Sequence, residues 1–215
     1  MAFGLVIFDC DGVLVDSEPL SNRILSEAFQ AAGFPIDYET SVAHMVGLSL
    51  PACFRLAEEW YGRPLPEGFE AKLRARTYEA FRRELQPVPG VRAAVEAVPL
   101  SRCVASSGEP DKIRLSLSVT GLWPLFEGRV FSARQPEVKR GKPAPDLFLF
   151  AAERMGVVPG TCAVVEDSLP GVEAGLAAGM TVFGYVGGAH APDLAAAGAT
   201  TFEDMADLPA LLGVA

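Results

Sequence analysis

The chain opens with a short unbroken apolar run at residues 4–8, GLVIF, and turns abruptly polar at Asp9-Cys10-Asp11-Gly12. An apolar run of that length without alternation predicts a strand covered on both faces. Similar runs recur at residues 103–105, 162–165 and 181–186, and helix-spaced stretches such as 146–155 and 170–178 lie between them. Short apolar strands alternating with helices predict an α/β fold, a parallel sheet with helices on both faces. Ligands bind such sheets beyond the carboxyl ends of the strands, so the residues that follow each run are where chemistry is expected.

Between residues 17 and 86 the pattern changes. Apolar side chains there recur at helical spacing (Ile24, Leu25, Ala28, Phe29; Phe54, Leu56, Ala57, Trp60) and no strand-like run occurs. The expectation is a small helical domain, 17–86, inserted into a core made of 1–16 and 87–215. Pro87-Val88-Pro89-Gly90 suits a return hinge, and the segment 16–19 suits the outgoing one. Two connections would allow the insert to move as a cap.

Composition narrows the classes. Of 215 residues, 50% are hydrophobic and 21% charged, the balance of a folded globule rather than a disordered chain. A net charge of −9 opposes nucleic acid and anionic membranes, so neither is expected as a partner. Four cysteines without a C-x-x-C pair, and only two histidines, suggest neither a zinc site nor a disulfide framework. The first residues lack a basic region ahead of the apolar run, and no long apolar stretch follows. A cytoplasmic protein is expected, with a monomer as the working assumption.

The candidate chemistry sits after the strands. Asp9 and Asp11 would share a direction if strand geometry continued through them. Two unit charges about 4 Å apart repel by roughly 4 kcal/mol at an effective dielectric near 20, so the pair calls for a cation, a shared proton or a diverging turn. Alone, such a D-x-D-G is as well read as a strand-end turn with two solvated acids. Ser106-Ser107-Gly108 follows the second run, with Pro110 as a first helical residue; hydroxyls and free N–H groups at a helix start suit an anion such as phosphate, and equally an ordinary cap. Lys142 stands in KRGKPAPD, where two prolines stiffen the chain ahead of a helix, although a basic surface loop has the same composition. Glu166-Asp167-Ser168 follows the run 162–165 and adds a second acid pair. Four carboxylates in one region need a divalent cation with a taste for oxygen ligands.

Taken together and in this order, FDCDGVLVDSE, VASSG, the lysine of KRGKPAPD and VVEDSLPGVEAG make the chain resemble the haloacid dehalogenase superfamily along its whole length. Within it the chain is most similar to the β-phosphoglucomutase and phosphogluconate phosphatase group, with a helical cap after the first motif. The resemblance implies Asp9 as nucleophile, forming an aspartyl-phosphate, and Asp11 as the acid and base. It implies Mg²⁺ held by Asp9, the Asp11 backbone carbonyl and Asp167, with Glu166 ligating or close by. It also implies phosphoryl binding by Ser106, Ser107 and Lys142, with Lys142 holding the Asp9 carboxylate. The expected substrate is a small phosphorylated metabolite, a sugar phosphate or phosphorylated sugar acid.

In the insert, residues 70–84 crowd Lys72, Arg74, Arg76, Arg82 and Arg83 on one expected helix, which could meet an anionic substrate. Glu70, Glu79 and Glu84 share the stretch, so a solvated helix laced with ion pairs is the alternative. Gly47, in the loop that touches substrate in such proteins, and His44, just before it, are the other substrate candidates with Arg74. The mutases of the group place a histidine after the first motif and an arginine in the cap loop; here residues 18–22 offer no histidine and Leu50 stands at the arginine's place. A mutase must grip a second phosphate, so hydrolysis is the expected reaction. A mutase, a 2-haloacid dehalogenase and a catalytically silent binding protein are the alternatives. Gly171, Gly175 and Gly179 are read as letting a helix lie close against the sheet, and His190 as a loop residue without chemistry.

Overall fold

The computed structural model describes residues 3–188 and 193–214, so His190 lies outside the described residues. In chain order the elements are β1 (Leu5–Phe8), α1 (Glu18–Ala31), α2 (Tyr38–Met45), α3 (Leu50–Tyr61), α4 (Phe69–Glu84), α5 (Val91–Ala97), β2 (Ser101–Ser106) and α6 (Pro110–Val119). They continue with α7 (Trp123–Phe126), β3 (Val130–Ser132), α8 (Asp146–Met155), β4 (Cys162–Glu166), α9 (Leu169–Ala177), β5 (Thr181–Tyr185), β6 (Thr200–Phe202) and α10 (Leu208–Leu211). The chain divides into two compact units, the segment ending at Asp16 together with that from Gln86 onward, and Ser17–Leu85.

The first unit carries a parallel sheet in the order β3-β2-β1-β4-β5-β6. All four residues of β1 are fully buried, as a central strand covered on both faces requires. On one face Leu5, Ile7, Cys103, Cys162, Val164 and Val182 pack with Phe148 and Ala152 of α8 and Val172 of α9. Helix α9 lies tight on the sheet because Gly175 has no side chain: a Cβ there would stand 2.7 Å from Val182 Cγ2. The strands β3 and β6 leave no such apolar run in the sequence. Each is three residues long at a sheet edge, too short to show a period.

Register sets the level of the site. Phe8 lies opposite Val104 on one side and Val165 on the other, so Asp9, Ala105 and Glu166 stand side by side one residue further on. The strand geometry ends at Phe8, and Cys10 to Val15 form a turn in which the Leu14 and Val15 N–H groups both donate to the Cys10 carbonyl. The outgoing chain then meets the returning one: Val88 N–H donates to Leu14 O, and Asp16 N–H to Gln86 O. Gln86 belongs to the first unit, which resumes one residue earlier than the sequence pattern suggests.

The Ser17–Leu85 unit is all helical. Its core gathers Ile24, Phe29, Phe34, Met45, Ala57, Phe69 and Leu73. Phe29 and Phe69 stack with centroids 5.3 Å apart, while Phe54 meets Phe69 edge-on at 5.4 Å. Such pairs add about 0.5–1.5 kcal/mol each beyond the area they bury. No helix among the described residues is long and apolar enough to cross a membrane.

Candidate active site

Lys142 organises the acids. It sits ahead of α8, with its side chain 6% exposed, and its ammonium donates to Asp9 Oδ1 at 2.6 Å, to Glu166 Oε1, and to the Ala105 carbonyl at 3.2 Å. One cation from a loop thus ties together the ends of β1, β2 and β4. Burial alone would lower its pKa, but Asp9 and Glu166 outweigh burial and hold it well above the usual lysine range.

Oxygens of Asp9, Glu166 and Asp167 lie within 4.8 Å of one another, a spacing that a metal ion could bridge. Burial, reinforced by Glu166 and Asp11 against the pull of Lys142, raises the Asp9 carboxyl to about 7. Asp167 is raised for the same reason, burial first and then its carboxylate neighbours. Glu166 is completely buried and spends its oxygens internally. Oε1 accepts from Lys142, and Oε2 accepts from Asp167 N–H, Ser168 N–H and the Ser168 hydroxyl at 2.9–3.0 Å.

Two glycines make room for these carboxylates. A Cβ on Gly12 would fall 1.7 Å from Asp167 Oδ2, and one on Gly171 would fall 1.9 Å from Glu166 Cδ. Gly12 also has a φ of 77°, in the left-handed region that side chains resist. Both glycines read as turn or helix-packing residues in the sequence, where only the expected convergence of acids could hint at their second task.

The Asp11 side chain turns elsewhere. Its Oδ2 accepts from Lys112 Nζ at 2.7 Å, so its carboxylate is not among the clustered oxygens. Lys112 stands in the first turn of α6, and a lysine on an amphipathic helix carries no signal of its own in the sequence. Ser106 is buried and its Oγ accepts from Gly108 N–H at 3.2 Å, while Ser107 is exposed. Ser132, the last residue of β3, donates to the Gly108 carbonyl at 2.6 Å and so anchors this loop. Cys10 lies between the acids, but burial and both aspartates push its thiol well above the usual range, so it stays protonated and a poor nucleophile.

The three substrate candidates belong to the Ser17–Leu85 unit. His44 is exposed and meets Trp60 edge-on at 5.3 Å, and Gly47 has a φ of 80° with open space where a Cβ would stand. Arg74 pairs with Glu70 at 3.5 Å, and Arg76 with Glu27 at 2.9 Å. Much of the basic character of α4 is therefore matched by ion pairs within its own unit.

The donor chemistry fits a hard divalent cation. Asp9 and Asp167 offer oxygens only, and four carboxylates against two ammonium groups, when ionised, leave the two negative charges that one such ion neutralises.

Known proteins are similar to this chain. Residues 3–179 match the model of the haloacid dehalogenase-like hydrolase family. The chain is 32% identical over 207 residues to a 6-phosphogluconate phosphatase of Escherichia coli, covering 96% of this chain and 93% of that enzyme. It is 33% identical over 190 residues to a phosphorylated carbohydrates phosphatase of Thermotoga maritima, covering 84% of each. A haloacid dehalogenase-like protein of unknown function from Agrobacterium tumefaciens superposes with a TM-score of 0.88 at 34% identity, over 99% of this chain and 98% of that one. The matched segment takes in all four sequence motifs, and the chain belongs to the haloacid dehalogenase-like hydrolase family.

Proposed function

We propose that this chain is a Mg²⁺-dependent phosphatase that hydrolyses a small phosphorylated sugar or sugar acid by way of an aspartyl-phosphate on Asp9. The observation that carries the reading is the buried Lys142 ammonium held between Asp9 and Glu166 at the ends of neighbouring parallel strands. The two phosphatases named above act, by their names, on phosphorylated sugar acids or carbohydrates, which supports that substrate class.

Each side chain has a task in this reading. Asp9 attacks phosphorus, dividing one hard displacement into two easier ones. Lys142 fixes the orientation of the Asp9 carboxylate and, with Ser106 and Ser107, faces the charge that spreads over the phosphoryl oxygens. Asp11, whose carboxylate pairs with Lys112 rather than joining the carboxylate cluster, gives a proton to the leaving oxygen and takes one from the water that completes the reaction. Glu166 holds Lys142 and the turn at Asp167 and Ser168. Asp9, Asp167 and the Asp11 backbone carbonyl would hold Mg²⁺, which when bound supplies positive charge beside the phosphoryl group.

The test is phosphate release from a panel of phosphorylated sugars, sugar acids and nucleotides, with Mg²⁺ or with a chelator, for the unmodified protein and Asp9→Asn. Turnover should require Mg²⁺ and fall by orders of magnitude in the variant. Turnover of the variant within about threefold of the unmodified protein would remove Asp9 from the nucleophile's role.

A further inference from the structure

Lys112 occupies a position that helix physics disfavours. It is the third residue of α6, inside the first turn, where the helix presents partial positive charge and a cation is repelled. The N-cap side chain, Glu109, makes no capping hydrogen bond, so that end of the helix lacks one of its usual supports. The ammonium nevertheless reaches the Asp11 carboxylate at 2.7 Å, with the side chains 24% and 31% exposed. A residue that local rules reject and a distant partner explains is a mark of a functional position.

The partner makes the purpose legible. Asp11 lies two residues from Asp9, and a carboxylate left to itself there would be drawn to any cation held between Asp9 and Asp167. We propose that Lys112 is a positioning residue for Asp11, holding its carboxyl out of the metal cluster and where the leaving oxygen departs. The inference rests on the function proposed above. In that reaction Asp9 forms a bond to phosphorus and the bond to the leaving oxygen breaks. The electron pair goes to that oxygen, and the proton comes from Asp11. An alkoxide is too basic to leave without the proton, whereas nitrophenolate leaves unaided. Displacing Asp11 should therefore damage one class of substrate and spare the other. Lys112 also follows the 106–108 loop closely in sequence, and a direct grip on phosphate is the rival role.

The experiment compares the unmodified protein with Lys112→Gln and Lys112→Arg, in Mg²⁺. It measures kcat/KM for the best alkyl phosphate of the panel and for p-nitrophenyl phosphate, with inhibition by inorganic phosphate. The value kcat/KM reports the steps through departure of the leaving group. The Gln variant should lose about tenfold or more on the alkyl ester and less than about threefold on the aryl ester, with phosphate inhibition unchanged and with much of the loss restored in Lys112→Arg. Parallel losses on both esters, no loss on the alkyl ester, or weaker phosphate inhibition matching the loss would overturn the assignment. A general defect in folding lowers both esters together and counts against it, while the Arg variant, which keeps the charge, gives the same comparison a second time. If the unmodified protein hydrolyses neither ester, the proposed function fails and takes this inference with it. If it hydrolyses both and the variants track them together, only Lys112 loses its role.

Discussion

Replacing Gly12 with alanine asks whether the Asp167 carboxylate is held where the site needs it. The new Cβ would lie 1.7 Å from Asp167 Oδ2 and 2.6 Å from its Cγ, so the carboxylate must move. The residue would also be forced to keep a φ of 77°, which costs about 1–2 kcal/mol for a side-chain-bearing residue. Gly156, in the same unit and with a φ of 69°, has no atom within 4 Å of a Cβ, so Gly156→Ala isolates the backbone cost. For a chain of this size that cost lowers Tm by roughly 2–8 °C. Gly12→Ala should lose at least as much, and should also raise the Mg²⁺ concentration for half-activation by about 10–100-fold, the usual penalty for disturbing what orients a ligand. Thermal melts without metal, and phosphate release against Mg²⁺ concentration, read the two effects separately. A Gly12→Ala protein that melts like Gly156→Ala and keeps an unaltered Mg²⁺ requirement would refute the placement of Asp167.

Lys142→Met leaves the Asp9 and Glu166 carboxylates buried without their cation, a loss of about 3–5 kcal/mol. The metal-free protein should melt more than about 6 °C lower, and a shift smaller than 2 °C would show that the lysine is not what holds the acids. The pH dependence has a defined sign. Asp9 is raised to about 7 in the folded chain against an ordinary value of 3.8, so between those values the folded state binds more protons than the unfolded one. The contribution of this carboxyl, at most roughly 4 kcal/mol, is therefore lost as pH climbs through that window. Without metal the protein should gain stability from pH 7.5 down to about 5.5, and the Tm increment from added Mg²⁺ should be larger at pH 7.5 than at pH 5.5. Increments of equal size at both pH values would contradict the coupling between the acids and the cation.

Much of this was legible in the pattern of residues, for identifiable reasons. A strand buried on both faces leaves an unbroken apolar run, so β1, β2, β4 and β5 announce themselves, and with them the polar residues at their ends. Edge strands such as Thr200–Phe202 carry too few residues and too mixed a composition to stand out. Asp9, Lys142, Glu166 and Asp167 each follow a strand or precede a helix, and the chain order of the motifs supplies the rest. Lys112 was hidden because its meaning lies in Asp11, across the fold, and because it falls on a helix whose apolar face alone accounts for the pattern. The Asp11 carboxylate departs from the strand-like direction since regular geometry stops at Phe8, and Gly12 then bends the chain.

The hydrogen bonds that join the chain on either side of the helical excursion, Asp16 N–H to Gln86 O and Val88 N–H to Leu14 O, make departure and return a single address. The sheet and the clustered acids all belong to the unit that this junction closes. The stretch between can lengthen, shorten or be exchanged for another over evolutionary time at little entropic cost, because the two ends it must join already touch. The reaction machinery is thereby insulated from novelty in the inserted part, and an old catalyst can acquire new surroundings without being rebuilt.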